Sequence, residues 1–203
     1  AVTGASVNAN GCLLSAAEPV NILVANLGAN IQTGFVIDYE ILNDNAQSIA
    51  TGTETVISSI QSFDSVLYTF PQTADLSVDG DYYIIGSVSL AGDADLSDNT
   101  DTFLIHKFPV ISTFPHIQDF DAFSTCNTGS GKKDCEVFEG WYQDPEDDDD
   151  WRTDKGSSPS NNTGPENDNT QGTSSGLFLY VEGSSNHNNI VNLISPCFDL
   201  SSL

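Results

Sequence analysis

The chain has 203 residues, enough for two small domains that each bury a core. Twenty-nine Asp and Glu stand against five Lys and Arg, a formal net charge of -24. That balance disfavours nucleic acid and anionic membrane surfaces and favours cations as partners. No run approaches the roughly 20 apolar residues of a membrane-spanning helix; the apolar pieces are strand-sized, such as Tyr82-Tyr83-Ile84-Ile85.

Helical periodicity is nearly absent, and short β-rich runs alternate with Gly, Asn, Asp and Ser. In chain order the expected strands are Pro19 to Asn26, Phe35 to Leu42, Ser48 to Ser58, Asp64 to Phe70, Gly80 to Leu90 and Asp101 to Phe108. Turn signals separate them: Asn43-Asp44-Asn45 divides two strands, and Asp79-Gly80-Asp81 opens another. Phe108-Pro109 to Phe114-Pro115 is expected as a joint, because its prolines resist ladder pairing and stiffen a linker. The domains are therefore expected at 1–108 and 117–203, with residues 109–116 as linker. In the second, Phe138 to Tyr142, Leu177 to Glu182 and Ile190 to Ile194 are strand-like, and the acidic, Ser/Gly/Asn-rich middle is expected to be a metal-organised loop.

The four cysteines, Cys12, Cys126, Cys135 and Cys197, lack the CxxC spacing of zinc or redox sites. Cys126 and Cys135 flank a Gly-rich segment that a disulfide could staple, which fits an oxidising compartment, with two free buried thiols as the alternative. The pairing of Cys12 and Cys197 does not follow from the sequence. The chain opens Ala-Val-Thr without an initiator Met, so a processed or excised piece of an exported protein is expected, its targeting segment removed.

Ile117-Gln-Asp-Phe-Asp121, Gly140-Trp141 and Asp147-Asp-Asp-Asp-Trp151-Arg152 resemble the opening of a MAM domain, the adhesive module of meprins, neuropilins and some receptor phosphatases. Ser158 to Pro165, Leu177 to Glu182 and Leu193-Ile-Ser-Pro-Cys197 continue the resemblance in order. It implies a β jelly roll of which residues 117–203 are the N-terminal half, with the remaining strands supplied by further sequence or another chain. Glu18 to Gly28 and Gly92 to Asn99 resemble the CARDB-like, immunoglobulin-type repeats of secreted surface proteins of Bacteroidetes. Together the fold expected is all-β: an immunoglobulin-like sandwich followed by a partial MAM-type jelly roll.

Two acidic groups are candidate calcium sites. Asp93, Asp95, Asp98, Asn99 and Asp101 place five oxygen-bearing side chains within nine residues, without the Gly and Glu of an EF-hand loop. Asp119, Asp121, Asp147, Asp148, Asp149 and Asp150 form the second group, since crowded carboxylates repel unless solvated, protonated or bridged. The MAM resemblance implies a cation near Asp119, Asp121 and Asp149 or Asp150. For both groups the alternative is a solvated acidic turn. Trp141 and Trp151 offer flat faces on which a sugar could stack, with core packing as the alternative.

His106, His116 and His187 are scattered, with no HExxH and no Ser-His-Asp arrangement. Asn161-Asn162-Thr163 is a glycosylation sequon of low information. The expected function is a non-catalytic, calcium-stabilised adhesion or ligand-binding segment of an exported, cell-surface bacterial protein, with a protein or carbohydrate ligand. An accessory segment of a secreted hydrolase and a structural unit of a surface filament are the competing readings.

Overall fold

The computed structural model describes residues 1–9, 11–126, 132–158, 163–183 and 188–203. Among them there is no helix, and thirteen strands, numbered here in chain order, divide between two compact units, Ala1–Phe108 and Pro109–Leu203. The architecture is all-β.

The first unit pairs a three-stranded sheet, β1-β2-β5, with a four-stranded sheet, β4-β3-β6-β7, every neighbouring pair antiparallel. Its strands are β1 (Val2–Val7), β2 (Glu18–Ala25), β3 (Phe35–Asn43), β4 (Ser48–Val56), β5 (Ser65–Ala74), β6 (Gly80–Ser89) and β7 (Thr100–Lys107). Side chains alternate across a strand, and in β3 Phe35, Ile37, Tyr39 and Ile41 are all buried while the residues between them are less so. They meet Val20, Ile22 and Val24 of β2 and Tyr82, Ile84 and Val88 of β6 in one core. Each such side chain stabilises the fold by about 1.5–3 kcal/mol relative to exposure. The sheets approach closely at Gly86, where an added Cβ would lie 2.9 Å from Ile22 Cδ1.

Six strands lie where the alternation predicts them, within a few residues. The seventh, β1, reads Val-Thr-Gly-Ala-Ser-Val, too poor in large apolar residues to announce itself; pairing with β2, from Val2↔Val24 to Val7↔Val20, places it. Strand β5 continues through Pro71 to Ala74 because it is an edge strand, so Pro71 owes no amide hydrogen to a further neighbour. The β2–β5 register shifts just there, Pro19 facing Thr73 and Asn21 facing Thr69. Asn21 fills the irregularity: its Nδ2 donates to Ser6 O and Asn8 Oδ1, and its Oδ1 accepts from Thr69 Oγ1. Both anticipated turns are present. The Asn43 side chain accepts from the amides of Asn45 and Gln47, and Gly80, at φ 135°, packs so closely on Asp44 that a Cβ would fall 2.3 Å from its carboxylate.

The second unit is built differently. Its strands are short: β8 (Val110–Ile111), β9 (Tyr142–Gln143), β10 (Arg152–Lys155), β11 (Leu177–Tyr180), β12 (Leu193–Ile194) and β13 (Cys197–Phe198). They form three two-stranded sheets, β10-β11 and β9-β12 antiparallel and β8-β13 parallel. The segment expected as a linker therefore carries a strand: Val110 and Ile111 pair with Cys197 and Phe198, and the prolines at 109 and 115 flank the pairing without interrupting it. The strand expected over Phe138 to Tyr142 is shorter and later, because Glu139 and Gly140 both adopt positive φ in a turn closed by Trp141 N donating to Phe138 O.

Replacing Ile37, which is fully buried between the sheets, with Ala is expected to destabilise the first unit by about 2–5 kcal/mol. Leu67→Ala, at a side chain 57% exposed on β5, is expected to stay within about 0.5 kcal/mol. Denaturant titration of both variants measures the difference.

Candidate functional site

The acidic run of the second unit folds around a cation of the chain itself. Arg152, the first residue of β10, is fully buried. Its guanidinium donates to Asp149 Oδ1 at 2.7 Å and to Lys132 O at 3.2 Å, reaches Cys135 Sγ at 3.8 Å, and has Asp134 Oδ1 at 4.0 Å. Asp149 Oδ1 also accepts from the amides of Lys132 and Asp150. Asp150 Oδ2 accepts from the amide of Cys135 at 2.9 Å. The disulfide Cys126–Cys135, with Cα atoms 5.5 Å apart, closes this arrangement from the other side. Residues 127–131 of the loop it spans lie outside the described residues. The bridge predicted from the cysteine spacing is present, and no described cysteine is a free thiol.

The rest of the run is held by backbone amides. Asp148 Oδ2 accepts from Ile190 N, and Asp147 Oδ2 from Asn192 N. Asp147 Oδ1 is buried and accepts no hydrogen bond. Burial, foremost, pushes the Asp150 carboxyl above its usual range; the Cys135 amide and Arg152 oppose the shift, and Asp147 and Asp149 add to it. Asp119 Oδ1 accepts from Asp121 N, and both Asp121 oxygens are engaged, one by Leu177 N at 3.0 Å and the other by Gln171 Nε2.

The acidic candidates of the first unit lie along the β6–β7 turn and the start of β7. Asp95 accepts from Ser97 N and Oγ, Asp93 from Asp95 N and Asp101 from Thr102 N, while Asp98 lies 3.8 Å from the N-terminal ammonium. Asn99 is buried, with its Oδ1 unpartnered. Among the described residues, no group of three or more His, Cys, Asp or Glu is gathered to hold a metal ion.

The structure does bring the two tryptophans together. Trp141 and Trp151 line one cavity of about 450 Å³ with Gln118, Asp119, Asn169 and Thr170 among its polar walls. Their indole N–H groups are turned to Gln118 Oε1 and Val191 O. The rings are thereby fixed as apolar surfaces. Phe120 packs edge-on against Trp141 at 5.6 Å and against Phe123 at 5.5 Å. Of the histidines, His106 contacts Asp81 at 2.6 Å and His116 meets Phe198 edge-on at 5.8 Å, and His187 lies outside the described residues, as does Asn161-Asn162 of the sequon.

Sequence reasoning passed over two residues. Arg152 entered only as part of a motif, although a lone cation three residues after Asp149 is the signal of an ion pair. Asp168, 4% exposed, accepts from the amides of Gln171 and Thr173 and shapes the loop before β11, packed so tightly that a Cβ on Gly176 would meet it at 2.3 Å.

Asp149→Ala would leave the Arg152 charge buried without its closest partner, and a loss of about 3–5 kcal/mol is expected by denaturant titration. The double variant Asp149→Leu/Arg152→Met should recover most of it, since a well-packed apolar pair replaces two desolvated charges. Backbone amides, first those of Gln171 and Thr173, hold the Asp168 carboxyl below its usual range. A lowered native pKa stabilises the fold above the unfolded value, and that stabilisation is lost as pH falls through the native one. Asp168→Asn should therefore lower Tm at neutral pH and flatten the acid side of the Tm profile, read by circular dichroism.

In comparison with known proteins, the family model "MAM domain, meprin/A5/mu" matches residues 119–202. The match takes in Asp119 and Asp121, both tryptophans, the Arg152 cluster and strands β9 to β13. Among solved structures, one similar chain is the solution NMR structure of a "putative cell surface protein" domain from Methanosarcina acetivorans. It shares 20% identity over 52% of this chain and 90% of that one, with a TM-score of 0.37, too low to compare architectures. The second unit is thus, over residues 119–202, a match to the MAM domain.

Proposed function

We propose that the chain is a non-catalytic adhesion or ligand-binding segment of an extracellular, cell-surface protein. The observation that carries the reading is the MAM match over residues 119–202, on a unit stapled by a disulfide and holding both tryptophans at one cavity. Disulfides persist in oxidising compartments, which supports an exported location. The first unit serves in this reading as a CARDB/immunoglobulin-like sandwich that carries the second.

Calcium is the cation of this reading. Asp147 and Asp150 are the residues that would hold it, because Asp147 Oδ1 is a buried carboxylate oxygen still lacking a partner and Asp150 is a second buried carboxylate of the same run. A hard cation accepts such oxygens together with backbone carbonyls and water. Bound there, it would offset the repulsion among Asp147, Asp149 and Asp150.

The function is tested by coupling the chain to beads and measuring retention on panels of immobilised glycans and matrix proteins, alongside a hydrolase substrate panel. Retention on at least one surface without turnover is expected. Turnover abolished by a single substitution, or retention on none, overturns the reading. Calcium at a hundredfold excess over Kd should stabilise the native state by about 2.7 kcal/mol, seen as a rise in Tm that chelation reverses. Sodium chloride at matched ionic strength is the control, since screening alone relieves part of the repulsion. A Tm shift no larger than the control's, unchanged by Asp147→Asn, removes calcium from the account.

A further inference from the structure

One end of the first unit gathers exposed apolar side chains on two neighbouring loops. The β2–β3 loop (residues 26–34) contains no charged residue and the β4–β5 loop (residues 57–64) only Asp64 at its end, in a chain that carries a net charge of -24. They expose Leu27 at 59%, Ile31 at 58%, Ile57 at 85% and Phe63 at 76%. Isolated exposed apolar residues are ordinary on protein surfaces; several on adjoining loops are a mark of an interaction site.

These loops are joined by hydrogen bonds. Asn26 is buried, and its Nδ2 donates to the carbonyls of Asn30, Ile60 and Gln61 while its Oδ1 accepts from Gly28 N. Gln32 and Ile60 form a β-bridge, Ser62 Oγ donates to Gly28 O and Thr33 Oγ1 to Ile57 O. Phe63 is held at φ 59°. A bulky residue in the left-handed region carries strain of order 1 kcal/mol or more, and here the conformation leaves the ring in solvent. Burial in the unit's own core does not repay it.

Carboxylates lie at the same end of the unit, one of them, Asp98, 3.8 Å from the N-terminal ammonium. Asp64 follows Phe63 and is exposed. The β6–β7 loop, with Asp93, Asp95 and Asp98, lies at the same end of the unit, since Ser89 at the end of β6 pairs with Val36 at the start of β3. A second copy of the chain would bring these carboxylates against their own kind, and an anionic membrane would be repelled by them. The charge pattern selects the remaining occupant. We propose that this end of the first unit docks a protein surface with an apolar centre and a rim of Lys and Arg, the apolar side chains supplying contact area and the carboxylates orientation. The proposal concerns a different unit from the tryptophan-lined cavity and does not depend on it.

The test is an NMR titration of the labelled chain with a synthetic peptide of Leu and Phe flanked by lysines, against a counterpart flanked by glutamates. The lysine-flanked peptide should shift amides of residues 27–34 and 57–64 and bind about tenfold or more tightly than its counterpart. Ile57→Ser/Phe63→Gly should weaken it by about tenfold or more, the loss expected for truncating anchor residues. Phe63→Gly relieves the positive φ, so a Tm that does not fall excludes unfolding as the cause; Ile57→Ser alone, with its own Tm, serves if the double variant fails to fold. Shifts spread over the acidic surface and unaffected by the substitutions, absence of binding, or concentration-dependent dimerisation through these loops would each overturn the proposal.

Discussion

The second unit depends on the burial of one arginine. With five basic residues in the chain, a fully buried Arg152 is a large commitment of positive charge, and Asp149, the Lys132 carbonyl and Asp134 stand around its guanidinium. Desolvating two ions costs several kcal/mol each, which their attraction offsets only with good geometry and further hydrogen bonds. The pair meets that condition by drawing in backbone amides on the acid's side and a carbonyl on the base's. It also fixes Cys135, whose amide is bound by Asp150 and whose sulfur lies against Arg152, so disulfide and ion pair hold one another in place.

The two units reach stability by different routes. The first has an aliphatic and aromatic core between two sheets, and several of its acids, such as Asp75 and Asp95, lie at turns, where they accept hydrogen bonds from nearby amides. In the second, among the described residues, buried Asp147, Asp149, Asp150, Arg152 and Asp168 stand beside only Phe123, Cys135, Phe178 and Pro196 as buried apolar side chains. A polar interior of this kind specifies geometry through direction, each oxygen aimed at one amide, where an apolar core specifies it through shape.

Legibility in the sequence follows the same division. Strands β2 to β7 could be read because one face is buried and the side chains alternate. The Cys126–Cys135 bridge could be read because it is local. Strands β10 and β13 could not, since Arg152–Lys155 is polar throughout and Cys197–Phe198 is two residues long, placed by partners far along the chain. A run of four aspartates shows like charges in sequence; that amides of Lys132, Cys135, Ile190 and Asn192 would come to meet them is a property of the tertiary fold. The convergence of Trp141 and Trp151 on one cavity is equally non-local, since loops on several elements complete its walls.

The irregularity around Pro71 bears on how closely such molecules can be crowded. An outer strand with free amides is a template onto which another chain can add. In β5 the proline removes one of those amides, and the register shift opposite Pro19 bends the strand where an incoming ladder would need it straight. With the mutual repulsion of strongly acidic molecules, this edge resists the sheet-to-sheet fusion that ends in fibres. Many copies could stand side by side at high local density and remain separate bodies.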